Sequence, residues 1–148
     1  MFTGDRSGDW LYRAMHRAGW ANQAESVSLD DGLELRGAWV TAPVRCAPPA
    51  NKPTPEERDR CRPFLEAEVA LLSELHVVVA LGAFGYREAA RVLGVAGAPR
   101  FAHGAEVLAP DGRWLLGSYH VSQQNTFTGR LTAEMLDAVF DRARQLAR

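Results

Sequence analysis

The run His76-Val77-Val78-Val79-Ala80-Leu81-Gly82, HVVVALG, decides the architecture of this chain. It is short and almost wholly apolar, with no polar residue alternating along it. That pattern suits a strand buried on both faces, as in a parallel sheet covered by helices. Upstream, PTPEERDRCRPFLEAEVALLSEL opens with prolines and acids suited to a helix N-terminus and continues as an apolar stripe, with Pro63 placed to divide or kink it. Downstream, YREAARVLG reads as a helix stopped by Gly94. HGAEVLAP and RWLLGSY read as strands separated by the turn signal Asp111-Gly112, and TAEMLDAVFDRARQLA reads as a closing helix.

The remaining segments fit the same alternation. DWLYRAMHRAG spaces Trp10, Leu11, Ala14, Met15 and Ala18 as a helix, with Gly19 as its stop and Ser7 or Asp9 as its cap. ELRGAWVTAPVRC reads as an extended segment carrying Trp39, Val40 and Val44 into a proline-rich loop. The order implies a layered α/β domain with a mostly parallel sheet, whose ligands bind at the carboxyl ends of the strands. The segment Ser118 to Gly129, SYHVSQQNTFTG, then lies on the functional rim.

With 148 residues, 47% of them hydrophobic, residues 1–148 are expected to form a single domain. No apolar run is long enough to cross a bilayer, and the start lacks the basic-then-apolar form of a secretion signal, so a cytoplasmic location is expected. A formal charge of −1 neither demands nor excludes nucleic acid. Positive charge is uneven, however: Arg45, Lys52, Arg58, Arg60 and Arg62 gather around the proline-rich loop. Cys46 and Cys61 supply half of a tetrahedral zinc site or of a four-cysteine cluster, or are two inert thiols. His16, His76 and His103 have no finger-like spacing that would complete a zinc site.

Four groups of residues carry the chemistry. His120, at a strand end, is either a rim histidine bonded to a carbonyl or a donor to charge developing on a leaving group. Ser122, Gln123, Gln124, Asn125, Thr126 and Thr128 either close turns on themselves or offer uncharged donors to phosphates and base edges. Asp5, in the Gly-flanked loop Thr3-Gly4-Asp5-Arg6-Ser7-Gly8, is either a capping carboxylate or one held against a water molecule. Phe2 is either a stacking ring or a core ring.

Taken in order, FTGDRSG, VRCAPPANKPTPEE, VVVALG, FAHG and SYHVSQQNTFTGRLT resemble the uracil-DNA glycosylases of family 5, also called type B, the iron–sulfur type. The resemblance covers nearly the whole chain. It implies a three-layer α/β/α fold around a mostly parallel sheet, and a monomer. It implies hydrolysis of the N-glycosidic bond of uracil in DNA, and of hypoxanthine or xanthine, with the base flipped into a pocket. Asp5 then matches the carboxylate that activates water, and His120 the histidine that stabilises the departing base. Phe2 matches the stacking aromatic, Asn51 an asparagine of the base pocket, and Ser122, Gln123, Gln124 and Asn125 the loop that enters the duplex. Related enzymes often have proline after the histidine, where this chain has Val121.

The family also carries an amino-terminal segment with two further cluster cysteines and a first strand ending in a Gly-Leu-Ala-Pro-like loop. The resemblance implies that this part, first strand included, is missing here. Cys46 and Cys61 would then be two of the four ligands of a 4Fe-4S cluster that performs no chemistry. The expectation is an active glycosylase in the complete reading frame and an inactive or poorly folded 148-residue form. The alternative is a catalytically inactive DNA-binding remnant that keeps the SQQN loop and the basic Arg45-to-Arg62 neighbourhood.

Overall fold

The computed structural model describes residues 2–46, 52–97 and 99–148. Helix α1 (Arg6–Arg17) leads to a long connection with no strand among its described residues. Helix α2 (Pro55–Leu71) follows, then β1 (Val77–Leu81), α3 (Gly82–Val92), β2 (Glu106–Leu108), β3 (Trp114–Ser118), the short α4 (Gln123–Phe127) and α5 (Ala133–Leu146). The strands lie in the order β1-β3-β2. β1 and β3 are parallel from Val77 opposite Trp114 to Leu81 opposite Ser118. β2 pairs antiparallel with β3, Glu106 opposite Leu116, through the turn at Asp111-Gly112 expected for this hairpin. The α/β class and the parallel pairing of the HVVVALG strand are as expected.

Two cores lie on opposite faces of this sheet. On one, Tyr86 and Ala90 of α3 pack with Ala80 of β1 and Leu115 of β3. On the other, Leu11 and Met15 of α1 pack with Leu136 and Phe140 of α5. The residues on these helices recur at helical spacing, so each helix turns one apolar stripe inward. An ion pair between Arg17 and Asp137 at 2.7 Å and a hydrogen bond from Arg144 to the Ala18 carbonyl at 2.8 Å tie α5 to α1.

Several local expectations change. α1 is capped by Asp5, whose Oδ1 accepts from the Gly8 amide at 2.6 Å, and not by Ser7 or Asp9. Gly19, with φ of 82°, does end it. α2 runs through Pro63 as one helix, and a reciprocal Thr54–Glu57 capping box fixes its start. It is further held by Glu88 of α3, which is buried and faces Arg58 and Arg62 of α2 and Arg91 of its own helix. ELRGAWVTAPVRC makes only one antiparallel bridge, Leu35 to Ala21, and no strand.

β1 is not buried on both faces. Ala80 is buried, but Val77, Val78 and Val79 are half-exposed. β3 covers one edge of β1; no described strand pairs with the other. A cavity of about 920 Å³ borders β1, with walls from α1, α5 and the Trp39–Pro43 segment.

Candidate active site at the carboxyl ends of β1 and β3

β1 and β3 run in the same direction, so their carboxyl ends deliver Gly82 and Tyr119-His120 side by side. Gly82 has φ of 84°, and a Cβ there would stand 3.2 Å from the His120 Cβ. Only glycine therefore combines this backbone turn with so close an imidazole. Behind it, the Tyr119 amide donates to His103 Nδ1 at 3.1 Å, while His103 Nε2 lies 3.3 Å from the Met135 carbonyl. The first contact leaves Nδ1 without a proton and the second uses an Nε2–H, so His103 is a neutral brace for the chain entering the site. Burial lowers its pKa and favours that neutral form.

His120 has its backbone carbonyl bonded by Asn125 Nδ2 at 2.9 Å. Its ring lies 6.4 Å from the Phe2 ring, centroid to centroid, at 47°. Both side chains border the large cavity. Among the described residues no protein group hydrogen-bonds an imidazole nitrogen of His120, which leaves them open to a ligand. Burial lowers the His120 pKa below its ordinary value, so the ring is neutral at pH 7 and presents one N–H and one acceptor.

Phe2 is held in the left-handed region, with φ of 60°, where bulky residues are rare. Its carbonyl sits against Gly8, and a Cβ on Gly8 would come within 1.8 Å of that oxygen. The first turn of α1 thus grips the backbone that carries the ring. Asp5 is exposed, and Oδ1 is spent on the Gly8 cap, leaving Oδ2 without a protein hydrogen bond among the described residues. The structure brings Phe2 to His120; Asp5 does not border the cavity they share.

The SQQN segment forms α4, capped by Ser122, whose hydroxyl accepts from the Asn125 amide. The hydroxyls of Thr126 and Thr128 donate back to α4 carbonyls, and Asn125 is committed to His120. Gln123 and Gln124 remain exposed. Asn51 lies outside the described residues. Cys46 is exposed and Cys61 half-buried, both as free thiols. Among the described residues no group of three or more histidine, cysteine or acidic side chains is arranged to hold a metal ion. Two thiols do not complete a four-cysteine site.

Three of the five basic residues of the Arg45-to-Arg62 neighbourhood are paired within the protein. Arg45 pairs with Glu68 at 2.6 Å, and Arg62 with Asp59 at 2.6 Å. Arg58 pairs with Asp59 at 2.9 Å. Sequence reasoning missed His103 as a brace and Asn125 as a tether for His120. Only the adjacency of FAHG and SYH in space shows the first, and nothing along the chain signals it.

No helix is long and apolar enough to cross a membrane among the described residues. The family model for the uracil DNA glycosylase superfamily matches residues 1–144. A protein of Mycobacterium bovis named type-5 uracil-DNA glycosylase is 54% identical over 150 aligned residues, which cover 99% of this chain and 56% of that protein. One of the same name from Thermus thermophilus is 50% identical over 147, covering 99% of this chain and 67% of the relative. A Pyrobaculum aerophilum protein, also so named, is 43% identical over 143, covering 97% and 62%. The chain thus spans little more than half the length of the mycobacterial relative.

Proposed function

Since the chain belongs to the uracil-DNA glycosylase superfamily, we propose that it contributes the reacting centre of an enzyme that removes uracil from DNA, with hypoxanthine and xanthine as further bases. The observation that carries this reading is the pairing of Phe2 and His120 at the mouth of an apolar cavity beside the ends of two parallel strands. A flipped base enters that mouth with its face on Phe2. Water adds to C1′ as the bond from C1′ to the base nitrogen breaks, and the electron pair of that bond leaves with the base. The neutral His120 donates its N–H to the base oxygen on which the charge collects. The free oxygen of Asp5 is assigned to the water and to the positive character of the sugar, one group at each end of the breaking bond. The base then takes up a proton, leaving an abasic site. Gln123 and Gln124, exposed on α4, support the opened duplex without a fixed charge.

A second reading has its own support. Asp5 stands off the cavity, and the half-exposed valines of β1 leave the base pocket without a wall on that side. A DNA-binding unit that does not cut the bond has the same features. The iron–sulfur assignment of Cys46 and Cys61 rests on the resemblance alone and enters no step here.

Single-turnover release of uracil from a labelled oligonucleotide separates the two. The catalytic reading expects release by the wild-type chain, slowed about a hundredfold or more by His120→Ala, the loss typical of a preorganised donor. Binding without release by the wild-type chain supports the second reading. Equal rates for wild type and His120→Ala remove the histidine from the mechanism.

A further inference from the structure

Arginines without a carboxylate partner among the described residues cluster beside α4. Arg6 lies over the Phe127 ring, 5.4 Å from its centroid, and Arg130 over the Tyr119 ring at 4.8 Å. Arg13 borders a polar cleft of about 230 Å³ between α1 and α4, together with Arg6, Asp9, Trp10, Thr126 and Phe127. Arg6, Trp10 and Arg13 recur at helical spacing, so they share the face of α1 that looks onto α4. Among the described residues, Asp9 is the one acid bordering this cleft, and it forms no ion pair with either arginine. By contrast Arg45, Arg58 and Arg62 are each engaged with a carboxylate.

Stacking matters to what these side chains can do. A guanidinium laid on an aromatic face is oriented by that face, while its N–H edge remains free to donate in plane to an anionic oxygen. Tyr119 directly precedes His120 and Phe127 closes α4, so the two stacked arginines mark the two ends of the segment that carries the site. We propose that Arg6, Arg13 and Arg130 bind backbone phosphates of the DNA strand on either side of the flipped nucleotide. The ligand class is the phosphodiester, read without sequence, and the proposal rests on the DNA reading above. It also moves the electrostatic footprint from the Arg45-to-Arg62 region to the α1–α4 cleft.

The test is the salt dependence of binding of the full 148-residue chain to a fluorescein-labelled, uracil-containing duplex, read by anisotropy. Each phosphate contact contributes about −0.9 to the slope of log affinity against log salt. Arg6→Gln, Arg13→Gln and Arg130→Gln are each expected to make the slope shallower by about one. Arg→Lys at the same positions keeps the slope, because the charge stays. Arg45→Gln, whose partner is Glu68, leaves it unchanged. Circular dichroism of every variant confirms that the fold persists. Wild-type slopes in all three Gln variants, or a loss confined to Arg45→Gln, overturn the arginine assignment while the DNA reading stands. A wild-type chain that shows no salt-dependent binding overturns both.

Discussion

Asp5 caps α1 and is assigned a second role in the proposed chemistry, and the two can be pulled apart. Its Oδ1 caps α1 through Gly8, and its other oxygen is the one assigned to chemistry. Asp5→Ser keeps a good capping oxygen but removes the carboxylate, so its melting temperature stays close to wild type while base release slows. Asp5→Ala loses both, with a stability cost of about 1 kcal/mol. A serine variant that releases uracil at the wild-type rate would show that Asp5 is a cap alone. His120 gives a second test. Its pKa is lowered by burial, so the donor at neutral pH is an uncharged imidazole. Single-turnover rates are therefore expected not to fall between pH 7 and about pH 9, whereas a required imidazolium would make them drop about tenfold per pH unit above its pKa. Gly82 gives a third. Gly82→Ala adds a Cβ 3.2 Å from the His120 Cβ at a φ that disfavours any side chain, so it both destabilises the fold and displaces the imidazole. Loss of release greater than the loss of folded population, measured on the same sample, is the expected outcome. A fully active Gly82→Ala would mean that His120 tolerates displacement.

Among the elements, α2 shows how a weakly buried helix is kept. Leu65 is its one buried described residue, and the helix contains Pro63, so its attachment draws on the ion-pair cluster around Glu88 together with the contacts of Glu68 to Arg45 and Thr41. Glu88 is 3% exposed, and its three arginines reach solvent. Glu88→Gln is expected to cost about 1–3 kcal/mol, less than the 3–5 of a wholly buried pair, because water takes over part of the solvation of the arginines. A urea midpoint identical to wild type would show that α2 is held otherwise. The helices α1, α3 and α5 were legible from apolar residues at helical spacing, and the strands from short apolar runs bounded by turn signals. HVVVALG fixed the parallel strand, and TAEMLDAVFDRARQLA the helix under it. α4 was not legible: SQQNTF has no apolar stripe, and its turn forms through the Ser122 cap and the threonine hydroxyls. ELRGAWVTAPVRC has strand-like composition but found no partner beyond one bridge. Composition gives the tendency to extend, and only a neighbouring edge makes a strand of it.

For the molecule as a whole, the two histidines whose pKa is lowered by burial, His103 and His120, set a pH response. Burial lowers the pKa of both His103 and His120, so the unfolded chain binds more protons than the folded one just below the ordinary histidine pKa of about 6.5. Stability is therefore fully present above that pH and declines as pH falls toward the lowered folded values. The carboxylates held down by arginines, such as Glu106 and Asp111, begin to contribute only in the more acidic carboxylate range. Denaturation midpoints measured from pH 8 to pH 5 are expected to fall, and the decline to shrink in a His103→Asn, His120→Asn double variant. An unchanged slope in that variant would place the response elsewhere. The sequence by itself determined the α/β class, the order of most elements, and which side chains were chemically equipped for a site, because these depend on periodicity and residue type along the chain. Only the tertiary structure decided that Phe2 meets His120 while Asp5 stands off their cavity, and that Arg45, Arg58 and Arg62 are spent on Glu68, Asp59 and Glu88. The reason is that pairing and proximity between distant residues depend on how the layers stack, and no local pattern in the chain encodes which carboxylate an arginine will find.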